Sequence, residues 1–121
     1  MSFAYKSVLM VGFCLISIPS FAIEYNLAKD AAYCLGTLNA SGLKGGMVSE
    51  MQTLYKLRIL QRLEEDSSFF IISKRMQKDG YEDFRWCKRE KKKRCPSSNL
   101  DCLISVHNDF SKCKRLSICV P

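Results

Sequence analysis

The chain has a single histidine, three prolines and one tryptophan among its 121 residues, and the shortage of histidine bears most directly on function. Histidine is the commonest general base and a common metal ligand, so His107 would have to serve alone in either role. Ser105 and Asp109 each lie two positions from His107, a spacing at which helical side chains point in different directions, so no Ser-His-Asp triad is indicated. The sequence therefore predicts a protein that is not an enzyme and needs no cofactor, with a small hydrolytic or redox enzyme as the alternative.

A hydrophobic run long enough to cross a membrane is also lacking. The apolar stretch Val8–Ile18 is too short, because a spanning helix needs roughly 20 apolar residues, whereas the core of a secretory signal needs roughly 7 to 15. Lys6 precedes the stretch, and Pro19 and a Ser-Phe-Ala cleavage pattern ending at Ala22 follow it. We predict a signal peptide at residues 1–22, cleaved after Ala22, and a single exported domain at residues 23–121. An uncleaved membrane anchor is the alternative.

The cysteines beyond residue 22 are six in number, an even set that is typical of a disulfide framework in a short exported chain. From Cys87 onward they are separated by seven, six, ten and five residues, so no Cys-x-x-Cys pair offers a zinc site, and we predict no metal. Three disulfides are therefore expected, and 15 pairings remain open. The candidates are Cys34, Cys87, Cys95, Cys102, Cys113 and Cys119.

Hydrophobic spacings of three and four residues predict helices over residues 24–40, 48–65, 69–94 and 100–107, followed by an irregular tail. Cys34 lies within the apolar face of the first helix, so its thiol should point into the core and pair far along the chain. The second helix is expected to bury Met51, Leu54, Tyr55, Leu60 and Leu63, with Ser49 or a neighbour as its cap. Gly80 is expected to weaken or split the third helix. The predicted fold is all-α, a small bundle of three to four helices stapled by up to three disulfides.

Several serine, aspartate and asparagine residues mark the expected helix ends. Asp66, Ser67 and Ser68 should break the chain between the second and third helices, because their side-chain oxygens accept hydrogen bonds from free amides. Cys95 and Pro96 should end the third helix, since proline lacks an amide proton and disfavours a helical predecessor. The segment 97–99 offers a cap for the fourth helix. The apolar residues 69–72 fit a buried strand as well, but the spacing to Met76 favours a helix.

Positive charge is concentrated in one part of the chain. Residues 74–94 hold ten Lys or Arg against four acids, whereas residues 23–73 hold five against six. The densest part, residues 88–94, has six basic residues interrupted only by Glu90. Cations at a helix C-terminus are stabilised by the helix dipole by about 0.3 to 1 kcal/mol each, so two or three need no further role. The segment is therefore either a solvated helix end or a binding surface for an anionic partner.

From these observations we expect a small periplasmic or secreted binding protein, possessing no catalytic site and resembling inhibitors or immunity proteins only in general plan. Its partner would be an acidic protein or an anionic envelope surface, and nucleic acid is not expected in that compartment. A basic protein that binds membrane surfaces or lipids is the alternative. Trp86, if exposed, would add an aromatic contact. The candidate partner-binding residues are Trp86, Lys88, Arg89, Lys91, Lys92, Lys93 and Arg94.

Overall fold

The fold, seen in a computed structural model that describes residues 25–119, consists of helices. α1 covers residues 25–41, and it is followed by α2 (Gly46–Glu65), α3 (Phe69–Arg94), α4 (Leu100–Asp109), α5 (Ser111–Arg115) and a 3-10 turn (Leu116–Cys119). No strand occurs within the described range. The all-α prediction is confirmed, whereas the predicted signal peptide at residues 1–22 and its cleavage after Ala22 lie outside the described residues.

The main core lies where α1 packs against α2 and α3. Ala28, Ala31 and Ala32 are at most 1% exposed, and these small side chains let α1 approach its neighbours closely. Tyr33 and Phe69 are completely buried in the same core and are its largest fully buried side chains. α1 is therefore the central helix of the bundle, although it is neither the longest nor the most basic.

α1 and α3 touch backbone to backbone at two glycines. A Cβ atom added to Gly80 would lie 2.9 Å from the carbonyl carbon of Tyr33, and one added to Gly36 would lie 2.7 Å from the carbonyl carbon of Gln77. Both distances are shorter than real Cβ contacts, so each helix needs a residue without a side chain where the other crosses it. This crossing fixes α3 against the core at its midpoint.

A second, smaller core joins the C-terminal half of α3 to α4 and α5. It is centred on Cys87, Cys113 and Val106, with Trp86 and Phe110 packed at its edge. The tail was predicted to be irregular, and that prediction is wrong, because residues 111–119 form α5 and the 3-10 turn. These short helices are held by the burial of Cys113 against α3, which sequence periodicity over so few residues does not reveal.

Six cysteines form three disulfides, as predicted, and the pairing that the sequence left open is now defined. The first bridge spans 85 positions and ties α1 to the end of the described chain, which confirms the expectation for Cys34. The other two span 26 and 7 positions and lie in the second core. The pairs are Cys34–Cys119, Cys87–Cys113 and Cys95–Cys102.

The predicted helix ends are confirmed at three places. Asp66 Oδ1 accepts a hydrogen bond from the Ser68 amide (3.0 Å) in the break between α2 and α3. Asn99 Oδ1 accepts one from the Cys102 amide (3.1 Å) and caps α4. α3 ends at Arg94, directly before Cys95 and Pro96, and the segment from Phe69 is helical from its first residue.

Three details of the helices differ from expectation. α3 runs without interruption through Gly80, which serves the α1 crossing and does not split the helix. Ser49 lies inside α2, and the N-cap is Gly45, whose φ of 134° suits glycine. Leu54 and Leu60 are 44% and 56% exposed, because α2 packs through the other face of the helix, where Tyr55, Ile59 and Arg62 are buried.

Candidate functional site

The exposed side of α3 carries a row of cations, which we call the basic face. Its members recur at helical spacing on the side opposite the buried residues Phe69, Ser73, Gly80 and Cys87. From Lys74 to Lys92 the row covers five helical turns, or roughly 27 Å at 1.5 Å per residue. The exposed side chains of the basic face are Lys74, Arg75, Lys78, Arg85, Lys88, Arg89, Lys92 and Lys93.

The acids of α3 scarcely neutralise the basic face. Asp83 is 8% exposed and accepts a hydrogen bond from the Tyr33 hydroxyl (2.7 Å), and Arg115 lies 3.7 Å from the same carboxylate oxygen. Glu90 pairs with Arg94 at 2.7 Å. Asp79 is half-buried, which leaves Glu82 as the one fully exposed acid on α3. The positive charge that the sequence shows for this region is therefore presented to solvent.

Burial and the hydrogen bond to Asp83, in that order, raise the pKa of the Tyr33 hydroxyl well above its ordinary value. The Arg115 guanidinium also lies over the Tyr33 ring, 4.6 Å from its centre. Asp83 is therefore part of a buried link between α1, α3 and α5, and it is not a carboxylate facing the solvent. Glu82 is adjacent in the sequence, but its side chain is exposed whereas that of Asp83 is buried, so the two carboxylates lie on different sides of α3.

Of the six basic residues predicted for the partner surface, four lie on the basic face and two do not. Lys88, Arg89, Lys92 and Lys93 are exposed, and none makes a hydrogen bond or ion pair with another residue in the range 25–119. Lys91, by contrast, is half-buried and turned towards α4, as described below. The four exposed cations are therefore free to meet a partner without giving up a contact within the fold.

Arg94 faces the second core at the end of α3. It pairs with Glu90, and its guanidinium lies over the Phe110 ring, 4.7 Å from the centre. Sequence reasoning did not assign the first half of the basic face, from Lys74 to Arg85, to the site. The three- and four-residue spacing of these cations was the signal that could have found them.

Trp86 lies at the border of the basic face and is half-buried. Its ring packs edge-to-face on Phe110, with 5.4 Å between the ring centres, and the Lys112 ammonium lies 5.2 Å from its centre. The indole therefore contributes mainly to the second core. Its accessible edge forms one wall of a shallow depression beside Tyr81 and Arg89.

Two disulfides hold the C-terminal half of the basic face in place. Cys87–Cys113 attaches α3 to α5 in the middle of this half, and Cys95–Cys102 attaches the residue after α3 to the first turn of α4. A helix end would otherwise fray, since its last carbonyl groups lack partners within the helix. The two bridges keep Lys88, Lys92 and Lys93 in one arrangement before any partner arrives.

The single histidine contacts one lysine and one serine. The Lys91 ammonium lies 3.3 Å from His107 Nδ1, and Ser117 Oγ lies 3.0 Å from His107 Nε2. Because an ammonium group only donates, Nδ1 must accept and neutral His107 carries its proton on Nε2. Nε2 therefore donates to Ser117 and leaves its hydroxyl unactivated, whereas a serine nucleophile requires the reverse arrangement. His107 and Ser117 therefore do not form the base–nucleophile pair of a serine hydrolase.

Burial and then the charge of Lys91 lower the pKa of His107 below its usual value near 6.5. We expect the substitution Lys91→Met to raise this pKa, because the methionine keeps the packing and removes the positive charge. His107 is the only histidine in the chain, so one imidazole proton signal followed by NMR against pH measures it directly. Lys92→Met, which removes a charge from the basic face, should leave the pKa unchanged.

The lowered pKa of His107 also makes the stability of the fold depend on pH. The pKa of His107 is lower in the folded chain than in the unfolded chain. The contribution of neutral His107 to the free energy of unfolding is therefore complete above about pH 6.5, and it is lost as the pH falls through the pKa of the folded chain.

An equal response of the His107 pKa to Lys91→Met and Lys92→Met would contradict the contact between Lys91 and His107.

Within residues 25–119 no group of three or more histidine, cysteine or acidic side chains is placed to hold a metal ion. In the same range no helix combines the length and the apolar character that a membrane crossing requires. Comparison of the chain with protein-family models, with curated proteins and with solved structures finds no match.

Proposed function

We propose that this chain is an exported, non-enzymatic binding protein that recognises an acidic protein through the basic face of α3. The single observation that carries the proposal is the row of eight exposed cations along one side of one helix, accompanied by one exposed acid. Complementary charge of this kind steers association and selects partners by sign. Export is supported by the three disulfides, which form and persist in oxidising compartments.

The rigidity of the basic face also supports a binding role. A preformed surface loses less conformational entropy on association than a flexible segment does, so more of the contact energy appears as affinity. Each exposed ion pair contributes only about 0.2 to 1 kcal/mol, and several must act together to give useful affinity. The length of the basic face, five helical turns, provides room for several such pairs with one elongated acidic surface.

The distribution of apolar residues favours a protein partner over insertion into a membrane surface. A helix that lies in a membrane interface places a broad apolar side beside its cations. In α3 that apolar side is buried in the two cores, and the exposed side carries three large apolar side chains, Phe70 and Ile71 in the first turn and Tyr81 near the middle. These three side chains do not form a broad apolar side along the helix, so contact with anionic lipid would depend mainly on charge.

The test is affinity capture by the immobilised, oxidised protein from the envelope or medium of its own cells. We expect the triple variant Lys88→Gln, Lys92→Gln and Lys93→Gln to weaken retention of an acidic partner about tenfold or more, with the remaining binding less sensitive to salt. The matched control is Lys29→Gln, Lys44→Gln and Lys56→Gln, which removes three lysines from α1, the following loop and α2. It should bind as the unaltered protein does.

Two outcomes would count against this proposal. Equal retention of the partner by the two triple variants would show that the basic face is not the binding surface. Salt-sensitive sedimentation with anionic vesicles, in the absence of any captured protein, would instead favour the lipid-binding alternative.

A further inference from the structure

A separate feature of the molecule is an apolar groove where α1, α3, α4 and the 3-10 turn meet. Its volume is about 290 Å³, close to the lower end of the range for small-molecule sites, roughly 300 to 1,000 Å³. Leu38, Leu43, Phe84 and Leu116 form its apolar walls. Leu43 is 63% exposed and the other three are half-buried, so the groove is open to solvent on the Leu43 side. We call this feature the apolar groove.

One cation stands at the wall of the apolar groove. Lys91 lines it together with His107, and none of the described residues that line the groove is acidic. The hydrogen bond from Lys91 is made to the neutral imidazole of His107, so its positive charge has no anionic partner there. Lys91 also differs from its neighbours Lys92 and Lys93, which are exposed on the basic face and contact solvent.

From this combination we propose that the apolar groove binds a small anionic amphiphile, a medium-length aliphatic carboxylate, with the carboxylate on Lys91 and the chain against Leu38, Leu43 and Leu116. The apolar walls lose water when the chain enters, which supplies the driving force. The carboxylate would form a charge-assisted hydrogen bond with the ammonium. The available volume suits a chain on the order of ten non-hydrogen atoms.

This site is independent of the proposed function, because the apolar groove opens between helices and the basic face lies on the outer side of α3. Loss of protein binding at the basic face would leave amphiphile binding intact, and the reverse also holds. Lys91 is the one residue of the predicted partner surface that the structure assigns to the groove.

The experiment is a titration of the oxidised full chain with decanoate, followed by NMR of the leucine methyl groups and of the His107 imidazole. We expect saturable shifts of the Leu38, Leu43 and Leu116 methyl signals. The pKa of His107 should rise in the complex, because a bound carboxylate offsets the charge of Lys91. Decanol, which has the same chain without the charge, should bind more weakly and should not raise the His107 pKa.

Matched variants separate this site from general attraction to a basic protein. Lys91→Met should weaken decanoate binding about tenfold or more and leave decanol binding unchanged, whereas Lys92→Met should bind both as the unaltered protein does. Leu43→Gln changes an exposed loop residue, and it should weaken both ligands without affecting the fold. Equal effects of Lys91→Met and Lys92→Met, or shifts confined to the basic face, would overturn the proposal. Absence of saturable shifts at the three leucines would overturn it as well.

Discussion

Replacing Gly80 with alanine is expected to destabilise the fold by about 3 kcal/mol or more. The expectation runs against helix propensity, since alanine in the middle of a helix is about 1 kcal/mol more favourable than glycine. The added methyl group would overlap the carbonyl group of Tyr33 and press on Thr37, whose methyl carbon lies 3.2 Å from the added atom. Backbone atoms cannot rotate away as a side chain can, so α1 and α3 would have to separate.

Unfolding of the oxidised protein by urea or heat measures this effect, with Gly46→Ala as the control. A Cβ atom at Gly46 meets nothing within 4 Å, and the residue is the first of α2, so the control should be as stable as the unaltered protein or slightly more stable. Gly36→Ala should behave like Gly80→Ala, because it faces the backbone of Gln77 at the same crossing. If Gly80→Ala and Gly46→Ala had equal stabilities, the close contact between α1 and α3 would be contradicted.

Gly80 also shows where prediction from the sequence stops. Periodicity of apolar residues located all four long helices, because each buries one side and the pattern of three and four recurs over several turns. A glycine within such a pattern fits two situations equally well, a weakened helix or a close crossing with another helix. Only the position of α1, which depends on contacts far apart in the sequence, decides between them.

The exposed leucines of α2 illustrate a similar limit. Leu54 and Leu60 are apolar residues at plausible core positions, but the helix packs through the side that carries Tyr55 and Ile59. α2 has apolar residues on more than one side, so its sequence alone does not specify which side meets α1 and α3. The rotation of a helix about its axis is set by the helices that pack against it, and the sequence of α2 does not specify them.

The residues predicted for the partner surface do not all lie on one side of α3. A run of consecutive basic residues on a helix necessarily points in several directions, since successive positions differ by about 100°. Lys91 and Arg94 therefore turn towards α4 and the second core, while Lys88 and Lys92 remain on the outside. Helical geometry could have separated these residues in advance, whereas the contacts of Lys91 with His107 depended on the packing of α4.

Removal of the Cys34–Cys119 bridge is expected to have the second large effect on stability. In the chain-entropy account, a bridge stabilises the fold by restricting the unfolded chain, and it does so more strongly for a longer loop. The separation of 85 positions corresponds to about 4 to 5 kcal/mol, whereas the separation of 7 positions in Cys95–Cys102 corresponds to about 2 to 3 kcal/mol. The Cys34→Ala, Cys119→Ala variant should therefore be the less stable of the two double variants.

Each double variant lacks both cysteines of its bridge, so neither contains an unpaired thiol from that pair. Urea unfolding without reductant then compares them under one set of conditions, with the midpoint and slope reported together. A greater loss of stability in the Cys95→Ala, Cys102→Ala variant would contradict the expectation. It would mean that the short bridge is required for folding of the second core and does not act mainly on the unfolded chain.

Binding of the acidic partner should be weakened more by loss of Cys95–Cys102 than by loss of Cys34–Cys119, the opposite of the order expected for stability. Cys95–Cys102 attaches the end of α3 to α4, so its removal should let the last turn fray and spread the positions of Lys92 and Lys93 while the rest of the fold remains intact. Cys34–Cys119 lies in the other core, away from the basic face, and its removal should leave those cations in place at temperatures where the variant is folded. Partner capture is measured below both unfolding transitions, and both variants keep every lysine and arginine. Weaker capture by the Cys95→Ala, Cys102→Ala variant would show that the binding surface must be held rigid. Equal capture by the two variants would show that binding depends only on net charge.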